Sequence, residues 1–250
     1  MTDEVDARFV EWMGRLEARH LADLTFPEVS RSLRALSSTY VERRAKLGEG
    51  AALTGAGKRA AFALFYGPLH FLLVRHIAMS IKRATSIEGT LVDLGCGTGA
   101  SGAAWATACP GKPSVLGIDR HPWAVDEARQ TYGDFGLRAR TRTDDVTRTA
   151  LPDRSAVLAA FTVNELSAPS REALLPRLLA HAKHGNRVLV VEPIAGFVTP
   201  WWPSWKDAFE AAGGRAEEWR TSVPLPPIVE KLDRAAGLNH RELTGRSLWM

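Results

Sequence analysis

Leu91-Val92-Asp93-Leu94-Gly95-Cys96-Gly97-Thr98-Gly99-Ala100 is the stretch that decides the fold. A short apolar run enters a cluster of glycines, and an alanine- and glycine-rich stretch, residues 100–108, follows at once. That is the texture of a strand, a tight turn and a helix. Glycines there permit positive φ and let a ligand approach the backbone beside the donor-rich start of the helix. The spacing Gly95-x-Gly97-x-x-Ala100 also passes the dinucleotide-binding fingerprint. Asp93 separates the two readings, because an acid two residues before the first glycine sits badly beside a pyrophosphate and well beside a cationic ligand.

Downstream, apolar runs at Thr90–Leu94, Ser114–Ile118, Ala156–Phe161 and Arg187–Glu192 alternate with helix candidates at Ala100–Ala108, Pro122–Tyr132 and Arg171–Lys183. Such alternation predicts a parallel sheet covered on both faces. After Glu192 come a Pro/Trp-rich loop, a helix near Trp205–Ala212, a strand near Ala216–Ser222, a helix near Pro227–Ala236 and a last strand near Glu242–Trp249. The expected fold is α/β: a doubly wound, seven-stranded, mostly parallel sheet of Rossmann-like type. Residues 1–88 read differently, as helices, with Phe9, Val10, Met13 and Leu16 at helical spacing and Phe71, Val74, Ala78 and Ile81 on another stripe. The expected division is a helical N-terminal cap, 1–88, and a ligand-binding domain, 89–250.

The second marker is Val115-Leu116-Gly117-Ile118-Asp119, an apolar strand ending in an acid 24 positions after Gly95. This is close to the ~20-residue spacing of a carboxylate that accepts hydrogen bonds from ribose hydroxyls. The third is Thr143-Asp144-Asp145-Val146. In open α/β sheets ligands sit beyond the carboxyl ends of the strands, so Phe161-Thr162-Val163-Asn164-Glu165-Leu166 at the end of the fourth strand should face the reacting group.

Asp93-x-Gly95-x-Gly97-x-Gly99 resembles the first motif of the class I S-adenosylmethionine-dependent methyltransferases. The resemblance implies S-adenosyl-L-methionine as cofactor, with the loop against its methionine part and Asp93 helping to orient the amino group, directly or through water. It also implies that Asp145-Val146 reaches the adenine amino group. Cys96, Arg120 and Phe161 complete the implied cofactor set. A narrower likeness rests on Ala160-Phe161-Thr162-Val163-Asn164-Glu165-Leu166, Val191-Glu192-Pro193 and the upstream Phe65-Tyr66-Gly67-Pro68-Leu69. These are similar to the small-subunit ribosomal methyltransferase family, which includes mitochondrial ribosome-assembly members. Several of those carry a metal-binding cysteine cluster, whereas Cys96 and Cys109 are the two cysteines here and form no C-x-x-C pair. No metal site is expected.

Charge bears on the acceptor. Between Arg31 and Arg83 ten Lys or Arg face two acids, an excess of +8 in a chain of net charge +4, so the remainder carries −4. Such a segment fits a phosphate backbone, with Arg31, Arg34, Arg43 and Arg44 as candidate contacts. A ribosomal RNA acceptor is therefore the leading expectation. A small-molecule acceptor, or a non-catalytic assembly factor that keeps the fold, stands behind it. Methyl transfer chiefly demands positioning of the acceptor, so no catalytic residue is singled out. Tyr66, Asn164, Glu165, Trp201 and Trp202 are the candidate acceptor-side residues, aromatic planes being suited to stacking. The apolar runs stop short of the ~20 residues that span a bilayer, and the N-terminus opens Met1-Thr2-Asp3-Glu4 without the basic start of a signal peptide. The expectation is a cytoplasmic protein with no membrane partner.

Overall fold

The computed structural model describes residues 2–42, 53–195, 199–238 and 240–250. Helices α1 (Thr2–His20), α2 (Phe26–Glu42), α3 (Ala56–Ala61) and α4 (Gly67–Ser80) precede the first strand. Then follow β1 (Thr90–Leu94), α5 (Ala100–Ala108), β2 (Ser114–Asp119), α6 (Pro122–Asp134), β3 (Ala139–Thr143) and β4 (Ser155–Ala160). The chain continues through α7 (Ala168–Lys183), β5 (Arg187–Glu192), α8 (Trp202–Ala211), β6 (Arg215–Thr221), α9 (Pro227–Ala236) and β7 (Leu243–Trp249).

The strands form one seven-stranded sheet in the order β3-β2-β1-β4-β5-β7-β6. β1 to β5 are parallel, with Val92 opposite Leu116 on one side and Val157 on the other. β7 runs antiparallel to β5, Glu192 opposite Arg246, and to β6, Glu218 opposite Arg246. The parallel strands therefore all end at one edge of the sheet, and β7 begins there. This edge carries the site.

Successive side chains of a strand point to opposite faces. Leu91, Ala156, Leu158, Leu189 and Val191 join one buried cluster, while Val92, Leu94, Val157, Val188 and Val190 join another. The first cluster also takes Trp12, Leu16, Phe71, Trp105 and Phe135, so α1 and α4 share a core with α5, α6 and the sheet. Polar contacts fix that docking. The indole Nε1 of Trp12 donates to Thr131 Oγ1 (3.3 Å), and Arg19 pairs with the buried Glu127 of α6 (2.6 Å).

α3 and α4 are joined by a π-helical turn, Phe62–Tyr66, in which the Gly67 N–H reaches back five residues to the Phe62 carbonyl. Pro68, which has no N–H to offer, follows directly. The result is one helical run, Ala56–Ser80, where the sequence suggests interrupted apolar pieces. By length and composition this run could cross a membrane, but 61% of its most apolar stretch is buried inside the fold. The widened turn matters for function, since such turns re-aim side chains. Here it directs Phe62 and Tyr66 into the cleft at the sheet edge.

Candidate functional site

After Leu94 the backbone turns through Gly95, Gly97 and Gly99 at φ of 68°, 51° and 78°. Two of these glycines are also demanded by space. A Cβ on Gly95 would lie 2.4 Å from Thr162 Cγ2, and one on Gly99 2.9 Å from the Ala128 Cα. Thr162 closes on the loop because its hydroxyl donates to the Leu94 carbonyl (2.9 Å). From the other side Cys96 N–H donates to Ile118 O (2.9 Å). The loop is thus held between the ends of β2 and β4, and α5 starts immediately after it.

Asp119 ends β2. Its Oδ2 accepts the Gly97 N–H (3.0 Å) and its Oδ1 the His121 N–H (2.8 Å), which fixes the carboxylate while leaving acceptor capacity toward the cleft. At the end of β3, Asp145 Oδ1 accepts both the hydroxyl (2.7 Å) and the N–H (2.8 Å) of Thr147, and these bonds hold its pKa below the usual carboxylate range. Asp93 behaves otherwise. It is buried behind the loop, where it accepts the Tyr132 hydroxyl (2.8 Å), and burial pushes its pKa up to about 7 against the pull of that bond.

Asp119, Asp145 and the Gly95–Cys96 part of the loop border a cavity of about 750 Å³. One half is walled by Gly95, Cys96, Asp119, Arg120, Asp145, Val146, Phe161 and Thr162. The other half is walled by Phe62 and Tyr66 of the π turn, Leu69, His70 and Leu73 of α4, Asn164 and Glu165 after β4, and His240, Leu243 and Thr244 at the start of β7. Phe161 stands between the halves. It adopts φ 58°, unusual for a bulky residue, and its ring stacks on His70 with centroids 3.8 Å apart and planes 12° from parallel. Burial drives the His70 pKa down to about 3, so its imidazole is neutral at physiological pH. Burial also raises Tyr66 to about 12, against a hydrogen bond from Ser37, so the phenol keeps its proton.

The sequence-based candidates sort by position. Gly95, Cys96, Asp119, Arg120, Asp145, Val146 and Phe161 meet around one half of the cavity, and Tyr66, Asn164 and Glu165 around the other. Gly97 and Gly99 shape the loop. Asp93 does not reach the wall: its carboxylate faces Gly102 and Tyr132, which makes it a brace for the loop. Trp201 and Trp202 require a correction. α8 places Trp202, Trp205 and Phe209 at positions i, i+3 and i+7 of one helical face, and that face packs on the sheet in the second core. Trp201 stacks edge-on with Trp205 at 5.0 Å, and the Arg246 guanidinium lies 4.1 Å from the Trp202 ring centre. Neither Trp201 nor Trp202 lines the cavity. Arg31 and Arg34 are exposed on α2, and Arg34 donates to the Ala235 carbonyl (3.4 Å). Arg43 and Arg44 lie outside the described residues.

Two wall residues had no local signal in the sequence. His70 reads as a polar interruption of an apolar helix. His240 enters only because β7 inserts between β5 and β6.

The cavity and its donors suit the cofactor expected from the loop motif. The volume falls within the roughly 300–1,000 Å³ usual for small-molecule and cofactor sites. Asp119 presents fixed acceptors for ribose hydroxyls, and the N-terminus of α5, which carries no side-chain cap, suits a carboxylate. Residues 91–185 match the family described as a methyltransferase domain. No curated protein matches the chain. Among solved structures, the chain superposes on an O-methyltransferase family protein from Burkholderia thailandensis at 14% identity and a TM-score of 0.56, covering 97% of this chain and 71% of that one. The mitomycin 7-O-methyltransferase MmcR gives 16% identity and 0.55 over 95% and 71%. A SAM-dependent methyltransferase from Leishmania major gives 11% and 0.52 over 82% of each chain. With the sheet order and the arrangement of loop and carboxylates in agreement with the domain match, residues 91–185 are identified as a methyltransferase domain, and S-adenosylmethionine is the cofactor that the match supports.

Proposed function

We propose that the enzyme methylates a small organic acceptor that enters the apolar half of the cavity. One observation carries this reading. Among the described residues Arg120 is the one Lys or Arg on the cavity wall, and it adjoins Asp119 on the cofactor side. The other half is walled mainly by aromatic and aliphatic side chains of the π turn and α4. An RNA acceptor, the expectation raised by the basic segment, calls for cations beside the reacting group to hold phosphates. Several cations of that segment are engaged elsewhere. Arg75 pairs with Asp6 (2.8 Å), and Arg59 donates to Leu53 O (2.9 Å) and lies over Trp123. The fold shared with a mitomycin 7-O-methyltransferase accommodates small acceptors, an analogy of fold alone.

The test is release of S-adenosylhomocysteine from S-adenosylmethionine by the purified protein, with a panel of phenols and, separately, with small-subunit ribosomal RNA as acceptor. Turnover with phenols and none with RNA supports the reading. Methyl incorporation into RNA with no phenol accepted overturns it.

A further inference from the structure

The two histidines on the acceptor half of the cavity sit in opposite environments. His70 is enclosed by Phe62, Tyr66 and Phe161, with no carboxylate among the described residues paired to its ring, and burial opposes its protonation. His240 has a carboxylate partner. Asp233, buried on α9, places Oδ1 2.5 Å from His240 Nδ1, and its Oδ2 accepts the His240 backbone N–H (2.8 Å). The imidazole also meets the buried Phe65 ring edge-on at 5.7 Å, which fixes its plane. Two contacts to one carboxylate and one ring contact define the orientation. Nδ1–H donates to Asp233, and Nε2 is left with its lone pair.

Topology assigns His240 to the acceptor. Asp119 and Asp145 close the cavity over the ends of β2 and β3. His240, Leu243 and Thr244 close it at the start of β7, beyond β4 and β5. The reacting centre lies between, above the Gly95 loop and Phe161.

We propose that His240, oriented by Asp233, is the general base for transfer to an acceptor hydroxyl. This rests on the small-acceptor reading and narrows it to hydroxyl compounds whose proton must be removed. S-adenosylmethionine supplies an electrophilic methyl group on a sulfonium. The acceptor oxygen forms the new O–CH3 bond as the C–S bond breaks, its electron pair remaining on sulfur as a neutral thioether. The hydroxyl proton passes to His240 Nε2. The resulting imidazolium is paired with the Asp233 carboxylate and loses its proton to solvent, to which the His240 side chain is 36% exposed. Asp233 is a positioning residue in this scheme. Tyr66, His70 and Glu165 are the other titratable groups on the acceptor wall. Tyr66 keeps its proton and His70 stays neutral.

The test compares wild type, His240→Gln and Asp233→Asn on phenols graded in acidity, from 4-methylphenol to 4-nitrophenol. His240→Gln is expected to lower kcat for 4-methylphenol about 10²–10⁴-fold, the usual contribution of a positioned base, with KM and S-adenosylhomocysteine affinity unchanged. The loss shrinks for 4-nitrophenol, which ionises without help, and the acidic limb of the pH–rate profile disappears. Asp233→Asn gives a smaller loss in the same pattern. Independently of turnover, nitrogen NMR of the wild type should show the His240 Nδ1–H tautomer, and that preference should vanish in Asp233→Asn. Equal losses across the phenol series, or an Nε2–H tautomer in the wild type, overturn the base assignment alone. No phenol turned over by wild type, with RNA methylated instead, overturns the small-acceptor reading and the base with it.

Discussion

Gly95 is the position where loop conformation and loop packing make the same demand, so Gly95→Ala tests both. The native φ of 68° lies in the left-handed region, which costs an alanine roughly 1–2 kcal/mol. The new methyl would also stand 2.4 Å from both Thr162 Cγ2 and Thr162 Oγ1. Forced overpacking of this sort costs roughly 1–3 kcal/mol, so the two effects together come to about 2–5 kcal/mol. At about 2–4 °C per kcal/mol for a chain of this size, Tm should fall by roughly 4–20 °C. Gly111→Ala is the control, since nothing lies within 4 Å of its added methyl, and it should stay within about 0.5 kcal/mol of wild type.

The overlap term can be isolated with Thr162→Ala, which removes both γ atoms but leaves a β carbon 2.9 Å from the new methyl. On its own that variant loses the hydroxyl's bond to Leu94 O, worth about 1 kcal/mol. In a double-mutant cycle followed by urea denaturation, Gly95→Ala/Thr162→Ala should be more stable than the sum of the single changes by about 1–2 kcal/mol. Strict additivity would show that Thr162 is not what confines the loop. A Gly95→Ala variant as stable as Gly111→Ala would remove the whole argument for the left-handed turn.

Asp119→Asn exchanges one of two acceptor oxygens for an N–H donor facing a backbone N–H, so calorimetric titration with S-adenosylhomocysteine should give a Kd about 10–100-fold weaker, the worth of one charged hydrogen bond; an unchanged Kd would mean that the carboxylate does not meet the ribose. Burial raises the Asp93 pKa to about 7 in the folded chain, against the ordinary aspartate value of 3.8 when unfolded. Wild type should therefore lose stability relative to Asp93→Asn as pH rises from about 4 to 7, by up to about 4 kcal/mol, and lose nothing further above that; a pH-independent difference in urea midpoints would refute the burial argument. Trp202→Ala should cost about 3–5 kcal/mol of stability as a truncated core residue, and at a temperature where the variant is folded its acceptor KM should match wild type. A raised KM would return Trp202 to the acceptor site.

The cofactor half was legible because its information is local. A strand, a glycine turn and a helix occupy consecutive residues, and the acid of β2 follows at a spacing set by one helix. β3 was harder to see because it is an edge strand: Ala139-Arg-Thr-Arg-Thr143 has no apolar run, and charged residues suit an edge that must not pair further. The tryptophans were visible, but their position after β5 carried more weight than their i, i+3, i+7 periodicity, which marks a buried face. Asp233 and His240 could not be read at all. Their spacing of seven is not a motif, and their place at the site depends on β7 entering the sheet backwards.

That same contrast explains why the cavity has two characters. Its cofactor half is formed by strand ends whose backbone amides fix carboxylates, an arrangement that leaves little freedom in sequence. Its acceptor half is assembled from distant pieces: the π turn and α4 from before the sheet, the residues after β4, and the start of β7 from the end of the chain. The two halves touch where Gly67 packs on Thr98 of the glycine loop, 3.2 Å from a would-be Cβ to the threonine Oγ1, and where His70 stacks on Phe161. A displacement of the glycine loop must therefore press on the helical run that walls the acceptor. By the same contacts, substitutions that remodel Phe62, Tyr66 or His70 should alter acceptor choice first and cofactor affinity only through the loop, and the reverse should hold for Asp119 and Asp145.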